Sequence, residues 1–150
     1  MDLRVKESVR SDGLRVITKR LNHTDRVRIS ITALVGSAYN GDKPGLFHFF
    51  EHMAFKGTET RTAEDISSFI HRYCLMSNAA TGDLETEYYW EGISKNWERI
   101  CEVGSDIYLN SIFPENVLKI ENQIILNEAF INEDDDNNTA TGGSRRSSSA

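Results

Sequence analysis

Gly45-Leu46-Phe47-His48-Phe49-Phe50-Glu51-His52-Met53-Ala54-Phe55-Lys56-Gly57 is the stretch whose reading decides the rest of the chain. As a helix it puts His48 and His52 one turn apart on one face, because side chains at i and i+4 lie above one another. Two imidazoles at that spacing suit one metal ion. Glu51 is next to His52 and three positions from His48, so its carboxylate lies on the same side. It is close enough to take a proton from a water at that metal without being a ligand. Nearly every other position is apolar, and a helix that is apolar all round is a buried one. Burying unpartnered polar groups costs roughly 2–7 kcal/mol each. A divalent cation satisfies both imidazoles and the carboxylate together. The competing reading is a pair of hydrogen-bonded core histidines. That reading suits a lone histidine better than two at this spacing with a glutamate between them.

The flanking sequence supplies a scaffold. Residues 3–9 and 14–18 read as strands of a hairpin around the turn signal Ser11-Asp12-Gly13. Residues 27–35 alternate apolar and polar and form the clearest strand. A Gly-, Asn-, Asp- and Pro-rich loop, 36–44, leads into the histidine helix, and Gly57 stands where a C-cap glycine belongs. Thr62 with Asp65 resembles a capping box that opens a helix to about Tyr73. Residues 77–81 and 86–93 read as strands separated by Gly82-Asp83. Ser94 can cap a helix over 95–109, with Trp97, Ile100, Val103, Ile107 and Tyr108 on one side. Pro114 begins a last helix that runs to about Asn132. The pattern predicts an α+β domain, a mainly antiparallel sheet with helices packed on one face. Residues 1–133 form this domain. The acidic and Ser-rich residues 134–150 can fill no core and are expected to be disordered.

Bulk properties narrow the function. A chain of 150 residues with 39% hydrophobic and 27% charged residues is one domain with a real core. A net charge of −6 without a basic stripe argues against a nucleic-acid partner. Cys74 and Cys101 are not spaced as a metal or redox pair and read as free thiols of a reducing compartment. No run has the apolar core of a leader or the length of a membrane span, so a cytoplasmic protein without a membrane partner is expected.

A catalytic zinc usually has three protein ligands and one open position. Glu121 and Glu128, two turns apart on the last helix, are on a face with Ile124 and Ile125. An inward-facing glutamate needs a reason, and a cation is one; the alternative is that both are solvated helix carboxylates like Glu115. Periodicity leaves these two readings equally weighted.

His48-x-x-Glu51-His52 is the inverzincin pattern, the reverse of the zincin His-Glu-x-x-His. Together with Gly36-Ser37-Ala38-Tyr39, Gly57-Thr58, Ser77-Asn78-Ala79-Ala80-Thr81, Glu85-Thr86-Glu87-Tyr88 and the Glu121 to Glu128 spacing, it resembles the M16 metallopeptidases. These include pitrilysin, insulin-degrading enzyme and the mitochondrial processing peptidase. The resemblance runs from about residue 3 to residue 133, the first part of one catalytic lobe. It implies that His48, His52 and Glu128 bind Zn2+ and that Glu51 is the general base. It implies that Glu121 assists catalysis by holding a ligand or proton in place. It puts Asn78 and Ala79 on an edge strand where a peptide adds by main-chain hydrogen bonds. The implied activity is a zinc endopeptidase acting on peptides or unfolded polypeptides through a zinc-activated water. A second, related lobe, or a homo-oligomer, is the implied partner, since nothing here matches the Arg and Tyr of that second lobe. Two other readings are a non-catalytic peptide-binding subunit and a truncated remnant with a structural metal site.

Overall fold

The computed structural model describes residues 5–141, with side chains through residue 128. Strands β1 (Val5–Val9) and β2 (Arg15–Lys19) pair antiparallel as a separate two-stranded sheet. Their turn is built by Asp12, whose Oδ1 accepts the Leu14 N–H at 3.1 Å, and by Gly13 in the left-handed region. Both strands are exposed along their length.

The larger sheet joins β3 (Arg26–Ala33), β4 (Cys74–Thr81) and β5 (Thr86–Ile93), all antiparallel, in the order β3-β5-β4. The sequence of β5 explains its central place. Thr86, Tyr88, Trp90 and Gly92 are buried on one face, while Glu87, Tyr89 and Glu91 alternate onto the other. On that second face Arg28 of β3 reaches Glu87 and Glu91, each at 3.1 Å, and its guanidinium lies 3.7 Å from the Tyr89 ring centre.

Helices cover the apolar face. α1 (Leu46–Met53) packs against β4, α2 (Ala63–Tyr73) against β4, and α3 (Trp97–Leu109) against β3 and β5. α4 (Glu115–Thr141) packs on α1. The core gathers Ala54, Ile66, Tyr88, Trp90, Ile100, Val103 and Ile107. The fold class is the expected α+β, with two antiparallel sheets where one was anticipated. The Thr62–Asp65 capping box is present, with the Asp65 N–H on Thr62 Oγ1 at 3.1 Å and the Thr62 N–H on Asp65 Oδ2 at 2.9 Å.

Several local expectations are corrected. α1 ends at Met53 with Ala54 as its C-cap, so Gly57 caps nothing. Gly57 instead takes φ 134 and bridges to Thr62, where its carbonyl accepts the Ile112 N–H at 3.0 Å. α1 is also less enclosed than its composition suggests: Met53 is fully buried, while Phe50 is exposed, because β4 and α4 cover only part of its circumference. Residues Ser94–Asn96 form a 3₁₀ turn ahead of α3, and the Ser94 side chain makes no capping bond. Trp97 and Tyr108 lie outside the buried stripe of Ile100, Val103 and Ile107. β4 begins at Cys74, with an irregular register between Cys74 and Met76. α4 continues to Thr141, so 134–141, expected to be disordered, is helical here. No Pro or Gly occurs between Pro114 and Gly142, so nothing in that sequence breaks the helix. The remainder of the expected tail, 142–150, lies outside the described residues. Cys74 and Cys101 are free thiols. Among the described residues no helix is long and apolar enough to cross a membrane.

Candidate metal centre

The loop before α1 fixes where the helix starts. Gly45 at φ 77 turns the chain in a conformation that favours glycine. Asn40 then supplies the missing cap: its Oδ1 accepts the Phe47 N–H at 3.2 Å. From this start His48 and His52 leave α1 on the face turned to α4. Their Nε2 atoms are 3.1 Å apart, and each lies 3.6 Å from Glu128 Oε2. These three ligand atoms all fall within 4.8 Å of one another. Atoms about 2.0–2.1 Å from a tetrahedral zinc lie roughly 3.3 Å from each other. The donor set therefore fits one zinc ion in both chemistry and spacing.

Glu121 plays a different part from Glu128. Its residue is only 4% exposed, and its two oxygens are divided between two partners. Oε2 is 3.3 Å from His52 Nδ1, and Oε1 is 2.6 Å from Lys56 Nζ. A carboxylate on Nδ1 favours the tautomer with hydrogen there, which leaves the His52 Nε2 lone pair facing His48 and Glu128. Periodicity had given the two glutamates the same standing. Helix α4 separates them, with Glu121 against His52 and Glu128 among the Nε2 atoms.

Glu51 points to the sheet side of α1. Its Oε2 accepts a hydrogen bond from the hydroxyl of Thr81, the last residue of β4. Its charge also reaches Tyr88 on β5. Burial first, then the negative charge of Glu51 and the nearby Tyr108, push the Tyr88 hydroxyl up to about 12. Tyr88 therefore remains neutral across the physiological range. β4 is an edge strand, paired on one side with β5. Asn78 on it is exposed, and Ala79 is half-buried against the core. Thus His48, His52, Glu121 and Glu128 come together between α1 and α4. Asn78 and Ala79 lie along the strand whose end holds Glu51.

Sequence reasoning missed Thr81, Lys56 and Asn40. Asn40 was detectable, as a capping-type residue just ahead of a helix that lacks its own cap. Thr81 and Lys56 lie within the motifs, yet their partners Glu51 and Glu121 are remote in sequence, and no local pattern points to them.

The family model for Insulinase (Peptidase family M16) matches residues 15–141. A protein from Rickettsia felis named as an uncharacterized zinc protease is 40% identical over 124 residues, covering 82% of this chain and 30% of its own. One of the same description from Bacillus subtilis is 31% identical, covering 87% of this chain and 32% of its own. The mitochondrial-processing peptidase subunit beta of Rattus norvegicus is 38% identical over 119 residues, covering 78% of this chain and 24% of its own. A protease from Helicobacter pylori has the same fold, with a TM-score of 0.79 over 84% of this chain and 30% of that one, at 24% identity. The chain thus spans about a third or less of the length of these relatives. With the family model covering most of the sequence, and relatives this similar, the chain belongs to the insulinase family, peptidase family M16.

Proposed function

We propose that this chain carries the metal-binding half-site of a zinc endopeptidase of the His-x-x-Glu-His type. The observation that carries this reading is the convergence of His48 Nε2, His52 Nε2 and Glu128 Oε2 within 4.8 Å, from two helices remote in sequence. These three residues would hold the ion. A zinc ion there supplies a Lewis acid that polarises a scissile carbonyl and brings the pKa of a water toward about 7.

The chain's own residues account for the rest. Glu51 takes the proton from the attacking water and delivers it to the leaving amine. The Thr81 hydroxyl, donating to Glu51 Oε2, fixes the carboxylate's direction and leaves its other oxygen for that proton. Glu121 holds the His52 ring. An extended peptide adds to the β4 edge at Asn78 and Ala79 through main-chain hydrogen bonds, which favours unstructured substrates over one particular sequence. The mitochondrial-processing relative is named as a subunit, and a second lobe from another chain or another copy is the partner we propose here.

The test is hydrolysis of a long, unstructured, quenched-fluorophore peptide by the zinc-loaded chain, with and without chelator and beside Glu51→Gln. The expected result is cleavage that stops with chelator and falls at least about 100-fold in Glu51→Gln, which keeps its zinc. Undiminished turnover in Glu51→Gln removes the general-base assignment. No cleavage by a parent chain that has bound zinc overturns self-sufficiency and assigns the reaction to a two-lobe assembly.

A further inference from the structure

We propose that Lys56 is a positioning residue of the metal centre, fixing Glu121, which in turn fixes His52 with Nε2 aimed at His48 and Glu128. The inference rests on the zinc reading above and extends it to a residue that contacts no ligand atom itself.

Lys56 follows the end of α1, where its N–H bonds the Met53 carbonyl at 3.1 Å. That turn carries its side chain back toward α4. Nζ reaches Glu121 Oε1 at 2.6 Å. The lysine side chain is 31% exposed and the glutamate side chain 5%, so the pair is asymmetric. An exposed ion pair contributes little. Here, however, the acid is withdrawn from water, and its oxygens rely on Lys56 and His52. A buried carboxylate that loses its cation must find water or turn away. Either movement takes Oε2 from the His52 ring nitrogen it now faces at 3.3 Å. The imidazole then loses the hydrogen bond that sets its tautomer and orientation.

The sign of one measurement separates this role from a bystander's. On charge alone, a lysine near a dication repels it, so neutralising Lys56 should tighten zinc binding. As a positioning residue, its neutralisation should weaken binding instead.

The experiment is zinc affinity of the chain by chelator competition, for the parent, Lys56→Met, Lys56→Gln, Lys56→Arg, His48→Ala, Glu121→Gln and the Lys56→Met/Glu121→Gln double variant. Apo-state circular dichroism and melting accompany each. Loss of a partner behind a metal ligand typically weakens affinity about 10–100-fold. Lys56→Met and Lys56→Gln should both weaken zinc by about tenfold or more. Lys56→Arg should remain near the parent. In the Glu121→Gln background, Lys56→Met should weaken binding no further. Unchanged or tighter zinc binding in folded Lys56→Met or Lys56→Gln overturns the proposal. So does an equal loss from Lys56→Met with and without Glu121. If instead His48→Ala binds zinc as the parent does, the zinc-site reading itself fails, a result distinct from either of these.

Discussion

Asp106 shows how a single residue stabilises the segment behind the candidate centre. Burial alone would raise its pKa. Hydrogen bonds from Asn110 at 2.8 Å, Thr58 at 2.7 Å and Arg61 at 2.6 Å, with the Arg61 charge, outweigh that and hold it below its usual 3.8. The folded-state pKa is therefore lower than the unfolded one. The resulting stability is fully present above about pH 3.8 and is lost as the pH falls through the depressed value. These bonds clamp the loop after α1, which contains Thr58 and Arg61, onto α3. Asp106→Asn should cost about 1–3 kcal/mol at pH 7 and make stability less steeply dependent on acid. Urea melts at neutral and acid pH check this, and unchanged midpoints for the variant would remove Asp106 from the account. The role was not legible in the sequence, since Asp106 reads there as an ordinary helix acid. Its partners from the loop are brought to it only by the tertiary fold.

Helix α3 lies close on β5 because Gly104 has no side chain. A Cβ at Gly104 would lie 2.9 Å from Cε3 and from Cζ3 of Trp90, which is 1% exposed. Gly104→Ala gains about 1 kcal/mol of helix propensity, but the overpacking costs roughly 1–3 kcal/mol. The clash should win, because the fully packed indole has nowhere to move. Net destabilisation by chemical denaturation is expected, and a more stable variant would show that the two elements can separate freely. Much at this level was legible beforehand. Period-two alternation marks β3, the Gly82-Asp83 break separates β4 from β5, the Thr62–Asp65 pair marks the start of α2, and the histidine spacing marks α1. The misplaced boundaries have one physical source. Gly57 has the positive φ expected of a helix cap, but it uses that φ in a bridge to Thr62. Ser94 has a capping side chain, but its N–H is taken by the Asp25 carbonyl at 2.6 Å, beyond the end of the β3–β5 pairing. Local chemistry names the residue's capacity, and long-range contacts decide its use.

The three-stranded sheet carries helices that bring the two parts of the candidate ligand set together. α1 supplies His48, Glu51 and His52, and α4 supplies Glu121 and Glu128 about 70 residues later. The pairings between them, Lys56 with Glu121 and His52 with Glu121, have no sequence signature, which is why periodicity alone could not distinguish Glu121 from Glu128. The resemblance to M16 metallopeptidases implies different roles for them, and their contacts differ: Glu121 faces His52 Nδ1 and Lys56, while Glu128 faces the two Nε2 atoms. Zinc shared between α1 and α4 would bind only the folded chain. At a free concentration about 100 times its Kd it should add roughly 2.7 kcal/mol of stability. The most direct measurement is therefore zinc binding by the chain itself, titrated against a chelator while thermal unfolding is followed, beside His48→Ala. The expectation is one zinc per chain and a higher melting temperature on loading, with both lost in the variant. Zinc bound by His48→Ala with the parent's stoichiometry and affinity would contradict it.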